Sequence, residues 1–159
     1  GMPPPITFPS DPNSPGKVTF DHARHLARGL KCIDCHPKLL PMKIGAVKLS
    51  MDSMGEGKQC GACHNGKKAF AVSDCAKCHK MTEFKKELSY PSGGLNPAIF
   101  SHEFHTAMFK CNSCHTAIFQ FRKGGSHMNM DQIYQGKFCS SCHDGQTAFG
   151  SSECLRCHK

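Results

Sequence analysis

The chain has 159 residues, twelve of them Cys, with no Trp, two Tyr and a mean hydropathy of −0.42. So small a supply of large apolar side chains argues against a conventional core, and no apolar run approaches the roughly 20 residues of a membrane span. The formal charge of +8 would suit nucleic acid, but no basic run exceeds two residues and Lys and Arg are scattered along the whole chain, so nucleic acid is not the indicated partner.

In chain order, residues 2–16 (MPPPITFPSDPNSPG) read as an extended, turn-prone N-terminal segment that does not pack. A short helix is predicted over DHARHLARG (21–29), followed by Cys32, Cys35 and His36 in a single turn. A Met-containing stretch with Met51 and Met54 then leads to two further Cys-His clusters, Cys60/Cys63/His64 and Cys75/Cys78/His79. The segment 88–97 (LSYPSGGLNP) carries Pro and Gly turn signals and reads as a linker, which places a boundary near residue 90. The same order follows again: a predicted helix over SHEFHTAMF (101–109), Cys111/Cys114/His115, a stretch with Met128 and Met130, then Cys139/Cys142/His143 and Cys154/Cys157/His158. No convincing period-2 strand is visible, although each half has room for one short N-terminal strand or hairpin. The expected division is therefore a segment 1–17 and two modules, 18–90 and 91–159.

The two halves are copies. Residues 57–80 and 136–159 align without a gap at an offset of 79 and are identical at 13 of 24 positions. TFDHARH (19–25) matches IFSHEFH (99–105), and MDSMGEGK (51–58) matches MDQIYQGK (130–137).

C-x-x-C-H is the attachment signature of c-type haem. Two Cys three positions apart reach the two vinyl groups as thioethers, and the adjacent His falls under the iron. Six copies use all twelve Cys and leave none over. A tetrahedral zinc reading gives no reason for His to follow every second Cys. A thioredoxin-like reading needs a βαβ context that is absent. Six covalently attached haems are therefore expected, with His36, His64, His79, His115, His143 and His158 as proximal ligands and the porphyrins as the core that the side chains do not supply. Their propionates are natural partners for the scattered Lys and Arg.

Five His remain: His22, His25, His102, His105 and His127. The pairs His22/His25 and His102/His105 stand at matched places, three residues apart, so each pair shares one face of a short helix while each member can reach a different iron. The first half then has two spare His for three haems. Its third distal site is left to Met, a ligand from the other half, water or no ligand. Met51 and Met130 are equivalent, each nine residues before the first Cys of the second motif, and are the preferred candidates, with Met54, Met128 and His127 as alternatives. Met/His ligation would raise the potential of the haem concerned.

The order F-x-H-x-x-H followed by three C-x-x-C-H motifs resembles the triheme cytochromes c7, relatives of the tetraheme cytochromes c3, over about 18–80 and 98–159. The resemblance implies a multihaem cytochrome c of two triheme modules, mostly irregular with a few short helices around a haem-packed core. It implies that His22 and His102 serve the first-motif haems and His25 and His105 the second-motif haems. Bis-His members place a further His shortly before the second motif, where this chain has Glu56 and Gln135; the third-motif haems, on His79 and His158, are therefore the ones expected to take Met.

If every iron has two protein ligands, no substrate reaches iron and the haems only pass electrons. The expected function is electron transfer to redox partner proteins or extracellular acceptors such as metals, in the periplasm or at the cell surface, without an enzymatic reaction. Haem attachment takes place outside the cytoplasmic membrane, so a signal peptide is expected to have been removed and Gly1-Met2 reads as a cloning remnant. Two other readings compete: a multihaem reductase with one open iron, and a piece of a longer tandem cytochrome polymer.

Overall fold

The computed structural model describes all 159 residues. They form two compact units, Gly1–Ser10 with Gly16–Met81 and Asp11–Pro15 with Thr82–Lys159.

In the first unit, strands β1 (Ile6–Phe8), β2 (Lys17–Phe20) and β3 (His79–Lys80) make an antiparallel sheet in the order β1-β2-β3. Ile6 lies opposite Phe20, Phe8 opposite Val18, and Val18 in turn opposite His79. The N-terminal segment is thus not wholly unpacked. Ile6 and Phe8 are half-buried and Thr7 is exposed, an alternation too short, between Pro5 and Pro9, for the sequence to reveal. Helix α1 (His22–Leu26) follows β2 directly because the Asp21 carboxylate caps it, accepting from the Ala23 N–H at 2.9 Å. Helix α2 (Cys32–Cys35) holds the first motif, and the Asp34 carboxylate accepts from the Lys31 N–H at 2.7 Å. Helix α3 (Met51–Gly55) is capped by Ser50, and 3-10 turns at Gln59–Ala62 and Cys75–Lys77 hold the second and third motifs.

The second unit repeats this plan. Strand β4 (Glu87–Tyr90) pairs antiparallel with β5 (Ala98–Ser101), Leu88 opposite Phe100, and Ala98 bridges to His158 as Val18 pairs with His79 in the first unit. Helix α4 (His102–Thr106) is capped by Ser101, whose hydroxyl accepts from the Phe104 N–H at 3.1 Å. Helix α5 (Met130–Tyr134) starts with a capping box between Asn129 and Gln132, and α6 (Cys154–Cys157) holds the last motif. Because β4 pairs within this unit, the second unit begins at Thr82 rather than near residue 90, and residues 88–90 of the expected linker are strand. Only a short turn-rich segment, 91–97, connects the two strands, which is what its Pro and Gly dictate.

All six helices are four or five residues long. In water a helix needs about 12–15 residues to hold by itself. No apolar side chain of the chain is buried, and Ile33 and Leu155, each inside a C-x-x-C, are 78% and 75% exposed. Caps and short ladders therefore set the local shape, while the main apolar burial must come from a group that the chain binds.

Candidate haem sites and their histidine pairs

Each motif sits on one tight turn. The N–H of His36 donates to the Cys32 carbonyl at 2.8 Å, and His64, His115, His143 and His158 donate at 2.9 Å to the carbonyl of the first Cys of their own motifs. On such a turn residues i, i+3 and i+4 share a face, so two thiols and an imidazole are presented together. None of the twelve Cys is joined in a disulfide. Before haem is attached, burial pushes the Cys35, Cys60, Cys78, Cys114, Cys139 and Cys157 thiols up, unlike the lowered thiols of redox-active C-x-x-C sites. The motifs adjoin through their Cys: Cys63 lies near Cys35 and Cys78 near Cys60, and in the other half Cys142 lies near Cys114 and Cys157 near Cys139. In both units the three motifs are neighbours in the order first, second, third. No group of three or more His, Cys, Asp or Glu converges as a bare metal site would require.

The imidazoles are oriented by backbone carbonyls. Nδ1 of His36 faces the Leu40 carbonyl, that of His64 the Phe70 carbonyl (3.0 Å) and that of His79 the Gly16 carbonyl (2.7 Å). In the second unit Nδ1 of His115 faces Phe119 (3.0 Å), that of His143 faces Phe149 (3.1 Å) and that of His158 faces Asn96 (2.7 Å). The paired His follow the same rule: His25 faces the Asp21 carbonyl (3.1 Å), His105 that of Ser101 (2.8 Å) and His102 that of Lys85 (2.7 Å). A carbonyl can only accept, so Nδ1 is the donor in each, and in the neutral ring this leaves the lone pair on Nε2, the tautomer that ligates a metal. Burial also lowers the His115 pKa, which favours this neutral form. His22 differs in that its Nδ1 is buried without a partner.

Ring separations bring the His together in four pairs. His22 and His36 have centroids 6.4 Å apart and His25 and His64 6.2 Å; the matching separations are 6.5 Å for His102 and His115 and 6.3 Å for His105 and His143. Two Nε2 ligands on opposite sides of one metal, each at about 2.0 Å, put the ring centroids about 6.3 Å apart. The members of each His-x-x-His thus face different motifs, the first His the first motif and the second His the second motif. His79 and His158, of the third motifs, adjoin the strands through Gly16 and Asn96. Met51 and Met130 are the first residues of the matched helices α3 and α5, and both are exposed, at 49% and 38%. Met54 and Met128 are half-buried, with the Met128 sulfur 3.9 Å from Cys139 Sγ. His127 is exposed, with φ at +50°, outside the four pairs.

One group of residues had no role assigned from sequence. Phe20 lies 4.8 Å from His22 and 4.6 Å from His25, and Phe100 lies 4.9 Å from His102 and 4.6 Å from His105, so one ring braces both members of each pair. Phe70 and Phe149 stand at 4.3 and 4.4 Å from His64 and His143. The signal was present in the repeat, since all four Phe are matched between the copies.

A sequence model described as "Cytochrome c7 and related cytochrome c" matches residues 18–80 and 98–159. The chain belongs to the cytochrome c7 family. It is similar to the C-terminal hexahaem fragment of the dodecahaem cytochrome c GSU1996, with 40% identity and a TM-score of 0.72 over 100% of this chain and 99% of that one. The N-terminal hexahaem fragment of the same protein is 35% identical with a TM-score of 0.61, covering 99% of each chain. Against the whole dodecahaem chain the identity is 39% and the TM-score 0.61, over 97% of this chain and 48% of that one. No curated protein matches the chain.

The c7 chain is a multihaem cytochrome of two c7-type modules, and it carries six covalently attached c-type haems, one for each C-x-x-C-H. The residues fit these groups. The twelve Cys, none in a disulfide, are paired on single turns, four His pairs have the spacing of a shared metal, and the chain buries no apolar side chain of its own.

Proposed function

We propose that this c7 protein is an electron carrier whose irons are all closed by two protein ligands. The observation that carries the reading is the set of four His pairs with centroids 6.2–6.5 Å apart. In this reading Cys32/Cys35, Cys60/Cys63, Cys75/Cys78, Cys111/Cys114, Cys139/Cys142 and Cys154/Cys157 attach the haems, with the His after each second Cys as proximal ligand. His22 closes the site of His36, His25 that of His64, His102 that of His115 and His105 that of His143. Met51 and Met130, equivalent by repeat symmetry, are the proposed ligands of the third-motif haems of His79 and His158, where the chain departs from the bis-His members of the family. A six-coordinate c-type haem supplies one-electron chemistry and leaves no position for a substrate, so the chain performs no catalytic reaction of its own. The carbonyl bonds to Nδ1 hold the imidazoles in place and raise their basicity.

The partners are other redox proteins or extracellular acceptors such as metals, in the periplasm or at the cell surface; family analogy supports this part. No helix is long and apolar enough to cross a membrane. The dodecahaem relative, of which the chain covers 48%, supports a place for such modules in longer tandem arrays.

The test is the absorption spectrum of the oxidised holoprotein with a haem count by pyridine haemochrome. Six low-spin haems with a weak band near about 695 nm, the Fe–Met signature, are the expected result. Six low-spin haems without that band would overturn the Met51 and Met130 assignment. A high-spin charge-transfer band would mean an open iron and would replace the carrier reading with a reductase.

A further inference from the structure

The loop that follows the second motif has one backbone and two opposite charges. In the first unit the Asn65 side chain accepts from the N–H groups of Lys67 and Lys68, both at 3.0 Å. In the second, Asp144 accepts from those of Gln146 and Thr147 at 2.9 and 2.7 Å. Gly66 and Gly145 turn the chain at φ +80° and +86°, and each N–H reaches the carbonyl of the Ala three residues on, at 3.0 Å. Each loop ends at the Phe whose carbonyl orients His64 or His143. It is therefore tied to the imidazole of the second-motif haem at both ends.

Across the aligned segments 57–80 and 136–159, charge differs at three positions only, and all three lie in this loop: Asn65 against Asp144, Lys67 against Gln146 and Lys68 against Thr147. Lys58, Asp74, Lys77 and Lys80 face Lys137, Glu153, Arg156 and Lys159 with unchanged sign. The loop thus passes from two positive charges to one negative on an unchanged frame, and its charged side chains are exposed in both copies. The surroundings lean the same way, with twelve basic and five acidic residues in the first unit against eight and seven in the second.

We propose that these loops set the matched second-motif haems at different potentials, the haem of His64 above that of His143. Reduction lowers the charge on an iron centre by one. Lys67 and Lys68 therefore favour the reduced state of the nearby haem, and the Asp144 carboxylate favours the oxidised state of its counterpart. At equilibrium an electron shared between the two resides on the first unit. Three charge units at about 10 Å, screened by water and salt, change the reduced-to-oxidised ratio at a fixed ambient potential about three- to tenfold.

The inference rests on His64 and His143 ligating the second-motif haems. The test exchanges the loops in the full hexahaem protein. Asp144→Asn/Gln146→Lys/Thr147→Lys gives the second loop the charge of the first, and Asn65→Asp/Lys67→Gln/Lys68→Thr does the reverse. Each set already fits this turn in the other copy, so both variants fold. Haem methyl resonances followed by exchange NMR through stepwise oxidation report each haem separately. The expected result is that the first variant makes the haem of His143 easier to reduce and the second makes the haem of His64 harder to reduce, with the other haems moving less. Unmoved second-motif haems, or an equal shift on all six, overturn the loop assignment while six low-spin haems keep the ligation reading intact. A second-motif haem that is high-spin in the unaltered protein overturns the ligation reading, and the loop assignment with it.

Discussion

Phe100→Ala removes the ring that braces both paired imidazoles, His102 and His105, of the second unit. Phe100 meets His102 edge-on at 4.9 Å and 86°, and stacks on His105 at 4.6 Å and 27°. Two such ring contacts contribute about 0.5–1.5 kcal/mol each beyond the area they bury. Phe100 is also half-buried on β5 opposite Leu88, and losing half the burial of a Phe side chain costs about 1 kcal/mol more. The variant should therefore lose about 2–4 kcal/mol of stability. Thioether attachment does not depend on this ring, so the haem count should remain six. The loosened rings should instead produce a high-spin fraction confined to the haems of His115 and His143. Guanidinium unfolding followed by far-ultraviolet circular dichroism gives the stability, and electron paramagnetic resonance of the oxidised protein gives the spin state. A midpoint unchanged within error, with six fully low-spin haems, would refute the bracing role of Phe100 and, by symmetry, that of Phe20.

Other perturbations test the remaining geometry. His102→Ala and His105→Ala should each open one haem of the six to carbon monoxide, read as one sixth of the reduced haem in a titration, because each imidazole faces a different motif. Reaction of two haems in either single variant, or of none, would contradict the pairing. Gly16→Ala would set a Cβ 2.0 Å from the Lys80 carbonyl oxygen, which belongs to β3 and cannot yield without moving His79. The cost should be about 1–3 kcal/mol in denaturant unfolding, with the spectral change limited to the third-motif haem of the first unit; full stability would show that the strand has room there. The chain produced without haem should give a disordered far-ultraviolet spectrum and no cooperative melt, since it buries no apolar side chain and its helices are four or five residues long. A cooperative melt of the haem-free chain would refute the view that the bound groups form the core.

The chemistry was legible in one dimension because it is written in local spacing. Cys, Cys and His at i, i+3 and i+4 share a face on any single turn, so six copies of the motif announce six haems before any fold is known. The duplication was legible for a similar reason, since matched residues recur at a constant offset without any folding argument. The strands were not. Three residues of β1 between prolines, and four of β4 beside a Pro-Gly turn, are too short to show a period, and what makes them strands is the pairing with β2 and β5. That pairing moved the start of the second unit from near residue 90 to Thr82 and drew Ile6–Phe8 into the first. The partner of each imidazole was likewise a tertiary matter. Sequence places His22 and His25 on one helix face, but which motif each one faces depends on how the chain returns past that helix, a distance across space that local spacing cannot encode.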